Sequence, residues 1–154
     1  MYINIFLSFY LICLSIFFGS SIFIGYIAAP YIFKTLNSRN EAGNMVGALL
    51  HKFSVLGYIT QVLMVIAGYI LHLNHAVALS AFIIPLIILI LLFFSENFIS
   101  KKMSGLKKQM GSIDETPKDD TKRKQFNSLH KWSVKIFLLE ELLCLPLFYI
   151  IFIK

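Results

Sequence analysis

Charged residues are scarce in this chain. Asp, Glu, Lys and Arg make up 14% of its 154 residues, whereas hydrophobic residues make up 58%. Soluble domains contain roughly 25% charged and about 45–50% apolar residues, so the composition excludes an ordinary soluble domain. Apolar runs of about 20 residues are long enough to cross a bilayer and indicate a membrane protein. The length suits one domain, 1–154.

Cysteine is nearly absent as well. Cys13 and Cys144 both lie inside apolar segments and have neither metal-ligand nor redox spacing. The sequence also lacks a nucleophile paired with a base, a phosphate-binding loop and an HExxH motif. It therefore does not identify an enzyme, and we expect no cofactor.

No Lys or Arg precedes the first apolar run, although Ala28-Ala29 resembles a signal-peptide cleavage site. That run is about twice as long as the apolar region of a signal peptide, and Pro30 would directly follow the cut. We therefore predict a retained transmembrane helix.

Long apolar segments predict an all-α fold, a four-helix transmembrane bundle of two hairpins. The short connection 72–75 makes the second and third helices a tight hairpin. A polar loop is expected at 97–128, into which helical segments extend from both sides, and 111–117 should be exposed and mobile. Asn40 is the expected cap of the second helix. The spans are predicted roughly at 3–33, 53–73, 76–94 and 132–153.

Positive charge lies almost entirely at one end of this bundle. The net charge is +6, and the termini and the 72–75 turn contribute little of it. By the positive-inside rule, we expect an integral protein of a bacterial inner (plasma) membrane, with 34–52 and 97–131 cytoplasmic and both termini outside. Lipid, not nucleic acid, is the expected partner. The sequence is also compatible with a homo-oligomer.

One hexapeptide occurs twice, with a single exchange of Phe for Trp: Leu-His-Lys-Phe-Ser-Val at 50–55 and Leu-His-Lys-Trp-Ser-Val at 129–134. In this register Gln61 corresponds to Glu140, which predicts that both lie at one depth near mid-membrane. A carboxylate there costs at least about 2.5–3.5 kcal/mol, relieved by protonation, a hydrogen bond to Gln61, or both.

Glu141 belongs to the same predicted polar layer as Gln61 and Glu140. Adjacent helical residues point about 100° apart, so we expect only Glu140 to face a packed interface. The layer suits a pathway for a proton, an ion or a metal. The alternative is a structural hydrogen bond between helices.

Two pairs of histidines could bind a metal. His51 and His130 lie at the same predicted depth at the cytoplasmic end, which would suit a haem or a transition metal. Each is followed by a lysine, so they are weak metal candidates. His72 and His75 have an H-x-x-H spacing but no third ligand nearby in sequence.

Phe126, His130 and Ser133 fit the motif F-x-x-[LY]-H-x-x-S. Further characteristic positions are Gly19, Ala29-Pro30, Phe33, Gly43, the 50–53 region and Asn97. With these residues the sequence resembles the transmembrane protein 205-like family, the domain of unknown function 4149, and the motif is the most specific part of the resemblance. The resemblance implies a four-helix membrane protein, and a eukaryotic member is linked to platinum-drug resistance and export.

Three functions are compatible with the sequence. The first is transport or export of an ion, metal or small solute by a multi-pass membrane protein. The second is a membrane haem or redox protein that uses His51 and His130. The third is a structural membrane subunit without chemistry.

Overall fold

The computed structural model describes residues 2–152, and side chains to residue 150. These residues form helices and turns and no strand, which confirms the all-α prediction. By length and composition, the first three helices could each cross a membrane. The fourth is not among these three within the residues that the structure describes. The helices are α1 (Tyr2–Thr35), α2 (Arg39–Leu73), α3 (Ser80–Met110) and α4 (Thr121–Phe152).

Two helix starts differ from the prediction. Ser38, not Asn40, caps α2, because its Oγ accepts a hydrogen bond from the Glu41 N–H at 3.2 Å. α3 begins at Ser80 rather than at 76. The turn before it is longer than predicted, since His75 takes a left-handed conformation (φ 55°) and the chain needs further residues to enter the helix.

Two π-helical segments interrupt the long helices, at Phe23–Ala28 in α1 and at Ser95–Ser100 in α3. The first directly precedes Pro30, which has no N–H for a regular helical bond and crowds the carbonyl four residues back. Widening to a π-turn relieves this crowding, and the Ala29 N–H bonds to the Ile24 carbonyl. No proline explains the segment in α3.

α1 and α3 each pack along both α2 and α4. α2 and α3 approach closely at Gly68, where a Cβ would lie 2.5 Å from the Ala81 carbonyl oxygen of α3. The same carbonyl accepts a hydrogen bond of 2.8 Å from the buried Tyr10 hydroxyl of α1. These contacts hold three helices together near the 72–75 turn.

The segment 111–120 contacts the start of α2, and most of its residues are exposed, as the sequence predicts for 111–117. Its predicted mobility stays a prediction. Ile113 is buried. The Asp114 carboxylate accepts hydrogen bonds from the Ser38 hydroxyl at 2.7 Å and from the backbone N–H groups of Arg39 and Asn40 at 3.1 and 3.2 Å. A distant aspartate thus satisfies donors at the N-terminus of α2.

Candidate functional site

The three residues of the predicted polar layer are all buried. Gln61 is fully enclosed, and Glu140 and Glu141 are 3% and 4% exposed. Both polar atoms of the Gln61 amide lack a hydrogen-bond partner, as does the Oε1 atom of each glutamate. The hydrogen bond expected between Gln61 and Glu140 is therefore not formed among the described residues. Buried polar atoms without a partner are rare in native proteins and call for an explanation.

Glu141 is buried too, in contrast to the expectation that only Glu140 faces a packed interface. α4 lies between α1 and α3, so two of its faces are covered. The Glu141 Oε2 accepts a hydrogen bond of 2.9 Å from the Tyr26 hydroxyl, in the π-segment of α1. A Cβ at Gly25 would stand 2.9 Å from the Phe137 ring and 3.8 Å from Glu141 Oε1. The missing side chain of Gly25 therefore makes room for the Phe137 ring beside Glu141.

One contact differs from the alignment of the two hexapeptides. The ring of Phe53 on α2 meets Phe137 on α4, with centroids 5.7 Å apart, whereas the hexapeptide aligns Phe53 with Trp132, five residues before Phe137. That Gln61 and Glu140 lie at one depth stays a prediction. We call the end of the bundle where α2 and α4 begin and α3 leaves the apolar region the polar end.

A third glutamate, Glu96, lies in the π-segment of α3 and faces α2. Its Oε1 is 2.7 Å from Nδ1 of His51, and its Oε2 is 3.4 Å from the Ser54 hydroxyl. The His51 side chain is 67% exposed and the Glu96 side chain 23%. This pair joins the surface of the polar end to the interior of the bundle.

Tyr58 lies on α2, one turn beyond Ser54. Its hydroxyl donates to the Leu92 carbonyl of α3 at 3.4 Å. The π-segment that holds Glu96 also packs against α4. His51, Ser54, Tyr58 and Glu96 thus form a polar series along the contact between α2 and α3 near the polar end.

The remaining predicted site residues do not join this series. His130 is exposed, and Phe126 and Ser133 are half-buried on α4. His72, which the sequence pairs with His75 as a possible metal ligand, contacts the Val77 carbonyl oxygen, with its Nδ1 at 3.3 Å. Among the described residues, no group of three or more His, Cys, Asp or Glu side chains could hold a metal ion.

Sequence reasoning missed three residues of the site: Tyr26, Tyr58 and Glu96. A signal for Glu96 existed, because His51 and Glu96 are equally far in residue number from the centre of the 72–75 turn. An antiparallel hairpin pairs such positions. Tyr26 had only an indirect signal in the nearby Pro30, which disturbs the helix where Tyr26 meets α4.

Comparison with known protein families gives one match. Residues 12–112, about two thirds of the chain, match the Domain of unknown function (DUF4149). The match covers α1 from residue 12 onward, α2 and α3 but not α4, so the motif of Phe126, His130 and Ser133 lies outside it. No curated protein and no solved structure matches the chain significantly. Because the match covers more than half of its length, the chain belongs to the DUF4149 family, whose members share a domain of unknown function.

Proposed function

We propose that the chain is a multi-pass membrane protein that moves protons across the bilayer through Glu140 and Glu141. The observation that carries the proposal is the burial of both carboxyl groups, each with an unpartnered oxygen, in the apolar half of α4. An ionised carboxylate at such a position costs at least about 2.5–3.5 kcal/mol, and intramembrane acids commonly belong to proton or ion pathways. Protonation removes this cost, so the two groups are suited to bind and release protons.

The surface of α4 supports a fourth crossing. The two glutamates point inward, and the side chains that α4 exposes beyond Trp132 include a series of large apolar ones. Such a surface suits contact with lipid chains. With four crossings, the basic polar end faces the cytoplasm and both termini lie outside. The exposed apolar side chains are Val134, Leu138, Leu139, Leu142, Leu145 and Tyr149.

The two ends of the bundle differ in polarity. Glu96, next to the exposed His51, lies at the polar end, whereas the fully buried side chains of Met64 and Leu71 line the inner face of α2 toward the 72–75 turn. The proposed path is therefore polar toward the end that we expect to face the cytoplasm and apolar toward the turn.

Proton flux in liposomes tests the proposal. Purified protein is reconstituted with an internal pH-sensitive dye, and a potassium diffusion potential drives protons inward. We expect the parent protein to acidify the lumen faster than protein-free liposomes. The double variant Glu140→Gln/Glu141→Gln should lose this activity, because an amide keeps the size of the carboxyl group but cannot carry a proton.

Glu115→Gln is the matched control, since it makes the same exchange at an exposed position in the 111–120 segment. It should retain the flux of the parent. If the double variant transports protons as fast as the parent, the two carboxyl groups are not the pathway. If the parent shows no flux above protein-free liposomes, the structural-subunit alternative takes the place of the proposal.

A further inference from the structure

We infer that a groove between α1 and α2 at the polar end binds an anionic phospholipid, with an acyl chain in the groove and the headgroup phosphate at the Lys52 ammonium group. The inference is independent of the proposed proton movement, because neither Glu140 nor Glu141 lines the groove. It adds a binding site and the chemical class of its ligand.

The groove is apolar and has room for a ligand. Its volume is about 420 Å³, within the range of about 300–1,000 Å³ that is usual for small-molecule sites. At Gly19 of α1 a Cβ would meet no atom within 4 Å, so the groove is open beside this residue. Apolar side chains of both helices form most of its walls, among them Phe23, Leu49, Phe53 and Leu56.

The π-segment of α1 contributes to the groove. Phe23, the first residue of that segment, lines the groove and is 56% exposed. π-helical turns are frequently found at functional sites. Because the Phe23 ring is both exposed and part of the wall, it offers apolar surface to an acyl chain.

A single lysine lines the groove. Lys52 is exposed, and its ammonium group forms no hydrogen bond and no salt bridge among the described residues. Its neighbour His51 contacts Glu96 at 2.7 Å on the α3 side, whereas Lys52 lies on the α1 side. Lysine packs its methylene groups along apolar surface and keeps the ammonium group at the level of the headgroups. Lys52 can therefore lie along the groove and bind a phosphate.

The charge of the chain favours an anionic lipid over a second copy of the chain as the occupant. The net charge is +6, and the basic residues collect at the polar end. A second copy would bring like charge to the groove, whereas an anionic headgroup neutralises Lys52. Basic pockets between transmembrane helices are a recurrent type of site for anionic headgroups.

Native mass spectrometry of the full chain in a mild detergent tests the site. Anionic phosphatidylglycerol and zwitterionic phosphatidylcholine are titrated separately, and the Kd of the first bound lipid is measured for each. We expect the parent to bind phosphatidylglycerol about fivefold more tightly, which is the effect of one lysine near an anionic membrane surface. Lys52→Gln should abolish this preference. Gly19→Leu should remove most of the binding of both lipids, because the new side chain occupies the groove.

The chain offers matched controls for both variants. Lys131 is the counterpart of Lys52 in the second hexapeptide and is exposed, but it does not line the groove. At Gly47, which is also outside the groove, a Cβ would likewise meet no atom within 4 Å. Lys131→Gln and Gly47→Leu should therefore bind both lipids like the parent. Inorganic phosphate should not displace phosphatidylglycerol, because the acyl chain holds the lipid in the groove.

Several results would overturn the site. Equal Kd values for the two lipids in the parent would contradict recognition of the anionic headgroup, and so would a preference that Lys52→Gln leaves unchanged or that Lys131→Gln reduces as much. Undiminished lipid binding in Gly19→Leu would place the lipid elsewhere. Displacement by inorganic phosphate would identify a site for free phosphate. A lipid-free dimer that Gly19→Leu converts to a monomer would make a second copy the occupant.

Discussion

The two copies of the hexapeptide, at 50–55 and 129–134, have nearly the same sequence and very different surroundings. Phe53 is 4% exposed and packs against Phe17 and Phe137, with ring centroids 5.2 and 5.7 Å away. Trp132, its counterpart, is 57% exposed and lies under the Lys135 ammonium group at 4.9 Å. His51 pairs with Glu96, whereas His130 is exposed.

The helix faces explain the difference. α2 buries Phe53, Gly57 and Thr60, and α4 turns Phe137, Glu141 and Cys144 inward at the same spacing. These three inward-facing positions of α4 are not the ones that the hexapeptide alignment pairs with the three of α2. The copy on α2 therefore enters the packed interior and meets Glu96, while the copy on α4 stays on the surface. The repeat in sequence is not a repeat of environment.

The largest expected contrast is in packing. Phe53→Ala removes an aromatic ring between three helices and should lower the free energy of unfolding by about 2–4 kcal/mol, because the lost contacts and the cavity matter even where lipid replaces water. Trp132→Ala should change it by less than about 0.5 kcal/mol. Unfolding of the detergent-solubilised protein by a denaturing detergent measures both. Equal losses in the two variants would mean that the copies are packed alike.

The second contrast concerns the starts of the two helices. An aspartate accepts hydrogen bonds from backbone N–H groups at both starts. Asp114 reaches the start of α2, which Ser38 caps, from far along the chain. Asp120 directly precedes α4 and accepts from the Lys122 and Arg123 N–H groups at 2.8 and 3.0 Å. Asp114→Asn should release the 111–120 segment and speed proteolysis after Lys118. Asp120→Asn should loosen only the first turn of α4, and hydrogen exchange would show that change there alone.

This second contrast also depends on pH. The hydrogen bond from the Ser38 hydroxyl, followed by that from the Asn40 N–H, holds the pKa of Asp114 below its ordinary value of 3.8. A lowered folded-state pKa stabilises the docked segment fully above the ordinary value, and the effect is lost as the pH falls through the lowered pKa. Proteolysis after Lys118, by an acid-tolerant protease, should therefore accelerate in the parent only below about pH 4. In Asp114→Asn it should already be fast at neutral pH.

Sequence patterns predicted the elements better than their mutual arrangement. The apolar runs and polar interruptions identify the helices, and long apolar stretches are sufficient for this. The different surroundings of Phe53 and Trp132 could not be obtained from the hexapeptide, because an identical string fixes neither the rotation of a helix nor its shift along a neighbour. Contacts with other helices, such as Phe53 with Phe137, fix both.

The smallest expected contrast separates the two serines of the hexapeptide. Ser54 donates to the Leu50 carbonyl at 3.0 Å and lies 3.4 Å from Glu96, whereas Ser133 is half-buried on α4. Ser54→Ala should cost about 0.6 kcal/mol, the average for a side-chain hydrogen bond within a membrane protein, and Ser133→Ala close to nothing.

A double-mutant cycle shows whether Glu96 is the source of that difference. If Ser54 acts through Glu96, then Ser54→Ala should cost less in a Glu96→Gln background, because an amide forms a weaker hydrogen bond than a carboxylate. If Ser54 acts only through the Leu50 carbonyl, the cost is the same in both backgrounds. Among the described residues, no carboxylate bonds to Ser133, the counterpart of Ser54. The first result would therefore mean that Glu96 distinguishes the two hexapeptides at the serine as well as at the histidine.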